Sequence, residues 1–326
     1  MSATTSTRFT LGLDLTTLGA KASVQRRATA RTGEKVSLTD VAEYLDLARE
    51  AGVELVTVGE SFRLEDTSRQ DAWLDPAVLA SRLGAEGHLT DGPAIAPALP
   101  AGFIDPVRLA RAVAGIHART GGNGGWQVPI STTAGGVHEE IRRVWAANRD
   151  ANTGGRRPLL VTAPTDRATA VVAGRHSDVV RLRVSTIAEA REWRTAIRTA
   201  ATQAGRNPDD VRVVVDAITV IGDDAASALF RADLLRDLGA QADTLTIAGT
   251  ARGVAEELQA WYASGAVDGV VILPGSVPTD VVALATQLAP ELRSLGVLEG
   301  DGVAEDLLPA SAGLDAALDA ALADWK

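Results

Sequence analysis

Apolar residues along this chain switch between a period of two and a period near 3.6, and the switching repeats. Arg8 to Leu15 (RFTLGLDL) alternates apolar and polar as a half-buried strand does. Residues 16–36 are polar, rich in Thr, Arg and Gly, and without period, which predicts a long loop. Ser37 to Asp40 then caps a helix carrying the stripe Val41, Tyr44, Leu45 and Ala48, ended by Ala51-Gly52. Glu54 to Gly59 is a β-branched strand followed by the polar loop Glu60 to Trp73. Asp75-Pro76 and Asp105-Pro106 open the next two helices, with Asp at the cap and Pro at the first helical position. Further strands are predicted at Pro93 to Leu99, Trp126 to Ile130, Pro158 to Thr162, Asp178 to Val184, Val211 to Ile221 and Asp268 to Leu273. Between and after them come helices over 137–148, Arg167 to Gly174, 187–204, 224–238, Gly253 to Ser264 and Thr279 to Leu295.

Eight strand-like segments alternating with helices predict an α/β fold, a (β/α)8 TIM barrel spanning 1–298. A doubly wound fold would carry G-x-G-x-x-G after its first strand, and none stands there. Residues 299–326 read as a C-terminal extension with a short helix, striped by Leu314, Leu318, Leu322 and Trp325. That stripe packs on the barrel or makes a subunit contact. The glycines of Thr120 to Ser131 (TGGNGGWQVPIS) fall at the start of the fourth strand and read as turn and packing residues, not a phosphate cradle.

Hydrophobic residues are 46% of the 326 and charged residues 23%, enough to bury a large core. A formal charge of −10 gives no electrostatic reason to expect nucleic acid or an anionic membrane as a partner. The absence of cysteine excludes disulfides, thiolate metal sites and a Cys nucleophile, and four histidines leave little room for a metal cluster. No apolar run reaches the roughly 18 residues of a membrane span, and the first residues lack a signal-peptide core, so a cytoplasmic protein is expected.

A barrel places its chemistry at the C-terminal ends of its strands. His88 and His176 precede strands and belong at the opposite face; His117 closes a helix, where a partly charged imidazole suits the dipole. His138 alone follows a strand end and is the histidine expected to reach the active face, as a general acid/base, against the alternative of a solvent-facing helix residue. Glu60 and Asp14 are carboxylates at strand ends; Glu60 either contacts a ring or substrate or pairs with Arg63. Arg181 and Arg183 share one face of the sixth strand, and either pair with Asp216 or Asp178 or mark an anionic ligand. Trp126 reads as core more readily than as a stacking wall.

The segment GGWQVPIS, within this barrel pattern, resembles the luciferase-like flavin-dependent monooxygenases, in the branch of nitrilotriacetate and dibenzothiophene-sulfone monooxygenases, whose fourth strand carries Gly-Trp-Asn-x-x-Thr-Ser. Asp105 to Arg111, Ala173 to Asp178, Gly249 to Glu257 and Pro290 to Val297 are similar to further motifs of that family, in the same order. The resemblance implies a monooxygenase that takes reduced FMN from a separate flavin reductase, acts on a small-molecule substrate and forms a homodimer. A deazaflavin coenzyme in a hydride-transfer enzyme, and a non-catalytic flavin-binding or flavin-free relative, are the alternatives.

Carried over residue by residue, the resemblance makes Glu60, Ser61, Ala98, Gln127, Ser131, Thr162 and Thr165 cofactor-binding residues; Glu60 and His138, by their places after strand ends, are the catalytic candidates. The loop after the fifth strand departs from the family's Gly-Ser-Ser: here it is Pro164-Thr165-Asp166. Pro164 has no N–H to give an anion, Thr165 keeps a hydroxyl donor, and Asp166 sets a carboxylate beside a phosphate unless Arg63, Arg167 or another cation offsets it. Ser131 also leads almost directly into the next helix, where the family inserts a long lid. A shortened lid implies a different substrate, a different flavin reaction or no catalysis.

Overall fold

In a computed structural model the chain winds into a parallel barrel, described for residues 8–15, 38–59, 75–99, 101, 104–129, 135–147, 153, 155–237, 244–277, 279–299 and 307. Its strands are β1 (Thr10–Asp14), β2 (Leu55–Val58), β3 (Ala94–Pro97), β4 (Gly125–Pro129), β5 (Leu159–Ala163), β6 (Val179–Leu182), β7 (Arg212–Ile221), β8 (Leu245–Gly249) and β9 (Gly269–Pro274). The order around the barrel is β3-β2-β1-β9-β7-β6-β5-β4, and the ring is nearly closed by bridges of Ile95 to Gly124 and Ala98 to Gln127. The helices are α1 (Leu38–Ala51), α2 (Pro76–Ala85), α3 (Pro106–Arg119), α4 (Gly135–Ala147), α5 (Arg167–His176), α6 (Ile187–Gln203), α7 (Ala225–Asp237) and α8 (Ala251–Ala263), followed by α9 (Thr279–Ala283) and α10 (Ala289–Ser294).

The expected caps are in place. Asp75 accepts from Ala77 N and Val78 N at 2.9 and 3.0 Å, and Asp105 from Arg108 N at 3.1 Å, so each carboxylate takes up amides that the first helical turn leaves unpaired. Gly121 and Gly122 turn the chain with φ of 64° and 91°. A Cβ on Gly125 would meet the Leu159 carbonyl at 2.8 Å, so these glycines set the start of β4 close against β5.

Two elements differ from the expectation. β8 adds to the eight predicted strands; it pairs with the upper half of β7, on the side that β6 occupies lower down. Leu245 N donates to Val184 O at 3.2 Å, so β8 continues the wall where β6 stops. Its five residues run straight into the Thr250 cap of α8, and so short a strand has no sequence boundary of its own. The last predicted helix, Thr279 to Leu295, is interrupted by a π turn over Leu284–Leu288. Pro290 brings no N–H to the helical ladder, and a widened turn just before it accommodates the loss.

Two apolar layers flank the strands. Leu55, Ala94, Leu159, Val179 and Val214 meet inside the barrel, joined by Leu307 from the C-terminal segment. Leu109, Val113, Trp126, Ile141, Trp145 and Leu160 pack outside β4 and β5, under α3 and α4. The stripe Leu314 to Trp325 lies outside the described residues. No described helix is long and apolar enough to cross a membrane.

Candidate active site

One pleat step nearer the mouth than the inner apolar layer, the barrel interior becomes polar. Asp14, Thr57, Gln127, Arg181 and Asp216 stand on five strands, β1, β2, β4, β6 and β7. The register that puts Leu55 and Val179 inside puts Thr57 and Arg181 inside two residues later. Arg181 Nε and Nη2 donate to the two carboxylate oxygens of Asp216 at 2.7 and 3.0 Å. Its Nη1 donates to Thr57 Oγ1 and to Gln127 Oε1, both at 2.8 Å, and lies 2.7 Å from Asp14 Oδ2. Thr57 in turn donates to Asp14 at 2.8 Å.

Arg181 is 3% exposed and Asp216 fully buried. Burial works against the guanidinium charge, but Asp216 and Asp14 outweigh it and hold Arg181 protonated above the ordinary arginine range. Two residues on, Arg183 points from the same face of β6 toward the mouth; its side chain is 55% exposed, and its Nε is 3.6 Å from Asp216. With Arg183 included, two cations face two carboxylates. Gln127 is anchored through its carbonyl, and its amide nitrogen makes no hydrogen bond among the described residues, on the inner face just below the mouth.

The other expected site residues separate into three groups. Ala98 is buried at the top of β3, beside Gln127, and Thr165 is exposed just beyond the end of β5. Glu60, Ser61 and Ser131 lie outside the described residues, as does Arg63. Thr162 and His138 are placed away from the mouth. Thr162 pairs in register with Val128, on the outward parity of β5, and its hydroxyl is 2.7 Å from Ser177 Oγ in the outer layer. His138 is fully buried between α4 and the barrel wall, its ring edge-on to Trp126 at 5.7 Å. Trp126 is the second residue of β4 and faces outward, so this histidine sits low on the outside of the barrel rather than at its mouth. The first turn of α4 thus packs beside Trp126, along the outer wall. Burial, followed by the charge of Arg142, lowers the His138 pKa to about 4.

The N-terminus of α5 is already engaged. Asp166 caps it, accepting from Thr169 N at 2.8 Å, while Thr165 N and Asp166 N both donate to Thr169 Oγ1 at 3.1 and 3.0 Å. The bonds from Thr169 are the main cause of a lowered Asp166 pKa, so the cap is an anion. Arg167 pairs with Glu192 at 3.6 Å. Three amides at that terminus, Thr165 N, Asp166 N and Thr169 N, are therefore engaged within the capping box and the turn before it.

Sequence reasoning missed Thr57 as a site residue, although the alternation of LVTV places it on the same face as Leu55. It also missed Asp280, fully buried beside the mouth, which accepts from Ser276 N at 2.7 Å and from Arg231 at 3.0 and 3.1 Å. That carboxylate fixes the loop after β9 to α7, and nothing in its local sequence distinguishes it from an ordinary first-turn acid.

Solved structures share this barrel over most of the chain. A riboflavin lyase, solved with a modified FMN and riboflavin, matches with a TM-score of 0.73 at 17% identity, over 92% of this chain and 94% of its own. The EDTA monooxygenase of Chelativorans sp. BNC1 matches at 0.72 and 18% identity, over 93% and 99%. An F420-dependent secondary alcohol dehydrogenase, solved with an F420-acetone adduct, matches at 0.65 and 12% identity, over 88% and 99%. At these identities the likeness establishes the (β/α)8 fold. No protein-family profile and no curated protein sequence matches the chain.

Proposed function

We propose that this chain is a luciferase-like oxidoreductase that holds a flavin-type ring at the C-terminal mouth of its barrel and acts there on a small organic substrate. The observation that carries the reading is the polar layer just beneath the mouth, where Arg181 anchors Gln127 by its carbonyl and leaves its amide nitrogen for a ligand. A ring carbonyl or ring nitrogen is the acceptor such a donor suits. Ala98 leaves room for a flat group beside it, and Arg183 offers an exposed guanidinium to an acidic substituent of cofactor or substrate.

The finer form of the proposal is a monooxygenase, cytoplasmic and homodimeric, that uses reduced FMN from a separate reductase, with Glu60, Ser61, Ser131 and Thr165 among its cofactor contacts. When bound, a reduced flavin supplies the electrons for such a reaction. The residues present fit the ring, while the terminus of α5 is a weakened place for a phosphate, because the Asp166 carboxylate stands there and Thr165 N, Asp166 N and Thr169 N are already engaged. Thr165 retains an exposed hydroxyl as the phosphate contact at that position.

A second reading is a relative without catalysis, which the engaged helix terminus favours, or one that uses a deazaflavin coenzyme, as the F420-dependent neighbours do. Titration of the purified chain with FMN, reduced FMN, riboflavin and the deazaflavin coenzyme, followed by fluorescence and calorimetry, separates these. Binding of reduced FMN with NADPH-driven oxygen consumption dependent on an added flavin reductase is the expected result. Binding of the deazaflavin alone supports hydride transfer, and binding of none of the four overturns both enzyme readings.

A further inference from the structure

At the opposite end of the barrel, at the foot of β5 and β6, buried charge does not balance. Asp178, the residue before β6, is 4% exposed; it accepts from Leu160 N at 2.8 Å and from both terminal nitrogens of Arg157 at 2.7 and 2.6 Å. Arg142 of α4 and Arg206, in the turn after α6, each bring Nη2 to 3.8 Å from the same carboxylate oxygen. Three guanidinium groups thus surround one carboxylate. Burial alone would raise the Asp178 carboxyl, but Arg157, Arg142 and Arg206 outweigh it and hold it at about 2.

The three cations are not equally satisfied. Arg206 donates to the carbonyls of Gly174 and Ser177, each at 2.9 Å, and Arg157 holds Asp178 and the Pro158 carbonyl. Arg142 makes no hydrogen bond among the described residues; its side chain is 10% exposed and its buried Nε has no partner there. One helical turn earlier on the same face of α4, His138 is fully buried with both ring nitrogens unpartnered, 6.1 Å from the His176 ring. Burial, then Arg157 and Arg206, push Arg142 down to about 9, with Asp178 alone opposing.

We propose that Arg142, with His138 beside it and Arg206 opposite, forms a binding site for a small oxyanion of the phosphate type. Among the described residues three guanidinium groups stand against Asp178, with Asp210 acting on Arg206 from beyond ion-pair distance, so the cluster keeps a positive excess that a phosphate would offset. The Arg142 guanidinium presents the planar donor fork that matches phosphate oxygens, and a neutral imidazole adds an N–H without adding charge. The slight exposure of Arg142 and Arg206 gives an ion access without unfolding. Asp178 and Arg157 precede their strands, so the site lies away from the barrel mouth and does not rest on the flavin reading.

The test is thermal unfolding of the full chain at constant ionic strength, with inorganic phosphate, sulfate or glycerol 3-phosphate titrated against chloride. Phosphate raises the melting temperature of the native protein in a saturable way, as a ligand of the folded state does. Arg142→Gln weakens that dependence at least tenfold, and Arg206→Gln weakens it independently should Arg142→Gln fold poorly. Arg143→Gln, a change at an exposed neighbour paired to Glu139, keeps the native dependence. Stabilisation by glycerol 3-phosphate as well assigns the site to the phosphate group of a metabolite; stabilisation by inorganic phosphate alone assigns it to the free ion. A melting temperature indifferent to phosphate, a slope equal to that of chloride, or a phosphate response retained by both variants and lost in Thr165→Ala overturns the proposal. Flavin titration of Arg142→Gln is unchanged whichever outcome holds, so failure here is separable from failure of the function proposed above.

Discussion

Arg181 on β6 and Asp216 on β7 form a two-pronged ion pair inside the barrel, at 2.7 and 3.0 Å, with both side chains out of solvent. Neither charge is tolerable there alone, since each was taken out of water; Arg181 is compensated by Asp216 and Asp14, and Asp216 by Arg181 with Arg183 at 3.6 Å. Because the same guanidinium also holds Gln127 and Thr57, the pair sets both the stability of the interior and the orientation of the side chain that faces the ligand position.

Arg181→Met is therefore expected to destabilise the protein by about 3–5 kcal/mol, as breaking one side of a buried pair does. Urea unfolding measures it. The double variant R181M/D216N should recover part of that loss, because it removes one of the stranded carboxylates; no recovery would mean that packing rather than charge is at stake.

Gln127→Leu should weaken flavin binding about tenfold, equivalent to roughly 1.4 kcal/mol, through loss of a ring-facing donor. Its effect on unfolding should be about 1.5–3 kcal/mol, that of one hydrogen bond from the charged Arg181. Fluorescence titration and thermal melts on the same sample distinguish the two effects. Equal flavin affinity in variant and native protein would remove Gln127 from the site.

Asp166→Ser keeps an N-cap side chain while removing its charge, at a cost of a few tenths of a kcal/mol to about 1 kcal/mol. FMN should then bind severalfold more tightly, with riboflavin unchanged, because the helix terminus no longer carries its own anion. Parallel titration of the two ligands reads the difference, and an equal change in both would place the phosphate elsewhere.

Stability should fall as the pH drops from about 6.5 toward 4. His138 has a folded pKa near 4 against 6.5 when unfolded, so between those values the unfolded chain binds the extra proton and is favoured. The full effect is on the order of 3 kcal/mol, complete below the folded pKa and absent above the unfolded one. His176, lowered to about 4 by burial and then by Arg142, adds to it in the same window. Denaturant midpoints across this range should decline less steeply in His138→Phe.

Gly269→Ala tests the closure between β9 and β1. A Cβ at that position would be driven onto the backbone carbonyl of Thr10, its register partner. Strands at fixed hydrogen-bonded spacing cannot move apart to admit it, so a loss of about 1–3 kcal/mol is expected by urea unfolding.

The alternation of periods and the Asp-Pro caps were enough to read a (β/α)8 barrel, because both are local: a strand or helix start announces itself within a few residues. β8 escaped because its five residues merge into the cap of the next helix, and the π turn escaped because widening a turn changes no polarity pattern. Parity along β6 also identified the shared face of Arg181 and Arg183, since a period of two is a property of the strand itself, whereas Gln127 was named only by the family resemblance of its segment.

Which of the possible partners Arg181 takes was a tertiary matter. Asp216, Asp14, Thr57 and Gln127 come from four other strands, and only the closed barrel fixes which of them share its level. The same holds for Thr162 and His138, each following or ending a strand in a way that suggested the mouth. Register turned the first outward, and the axial position of α4 carried the second down the wall to Trp126. Sequence determines periodicity, caps and the order of elements because these depend on neighbours in the chain; it leaves open the side of a wall and the height along it, because those depend on how distant segments slide and rotate until their buried charges and side chains fit.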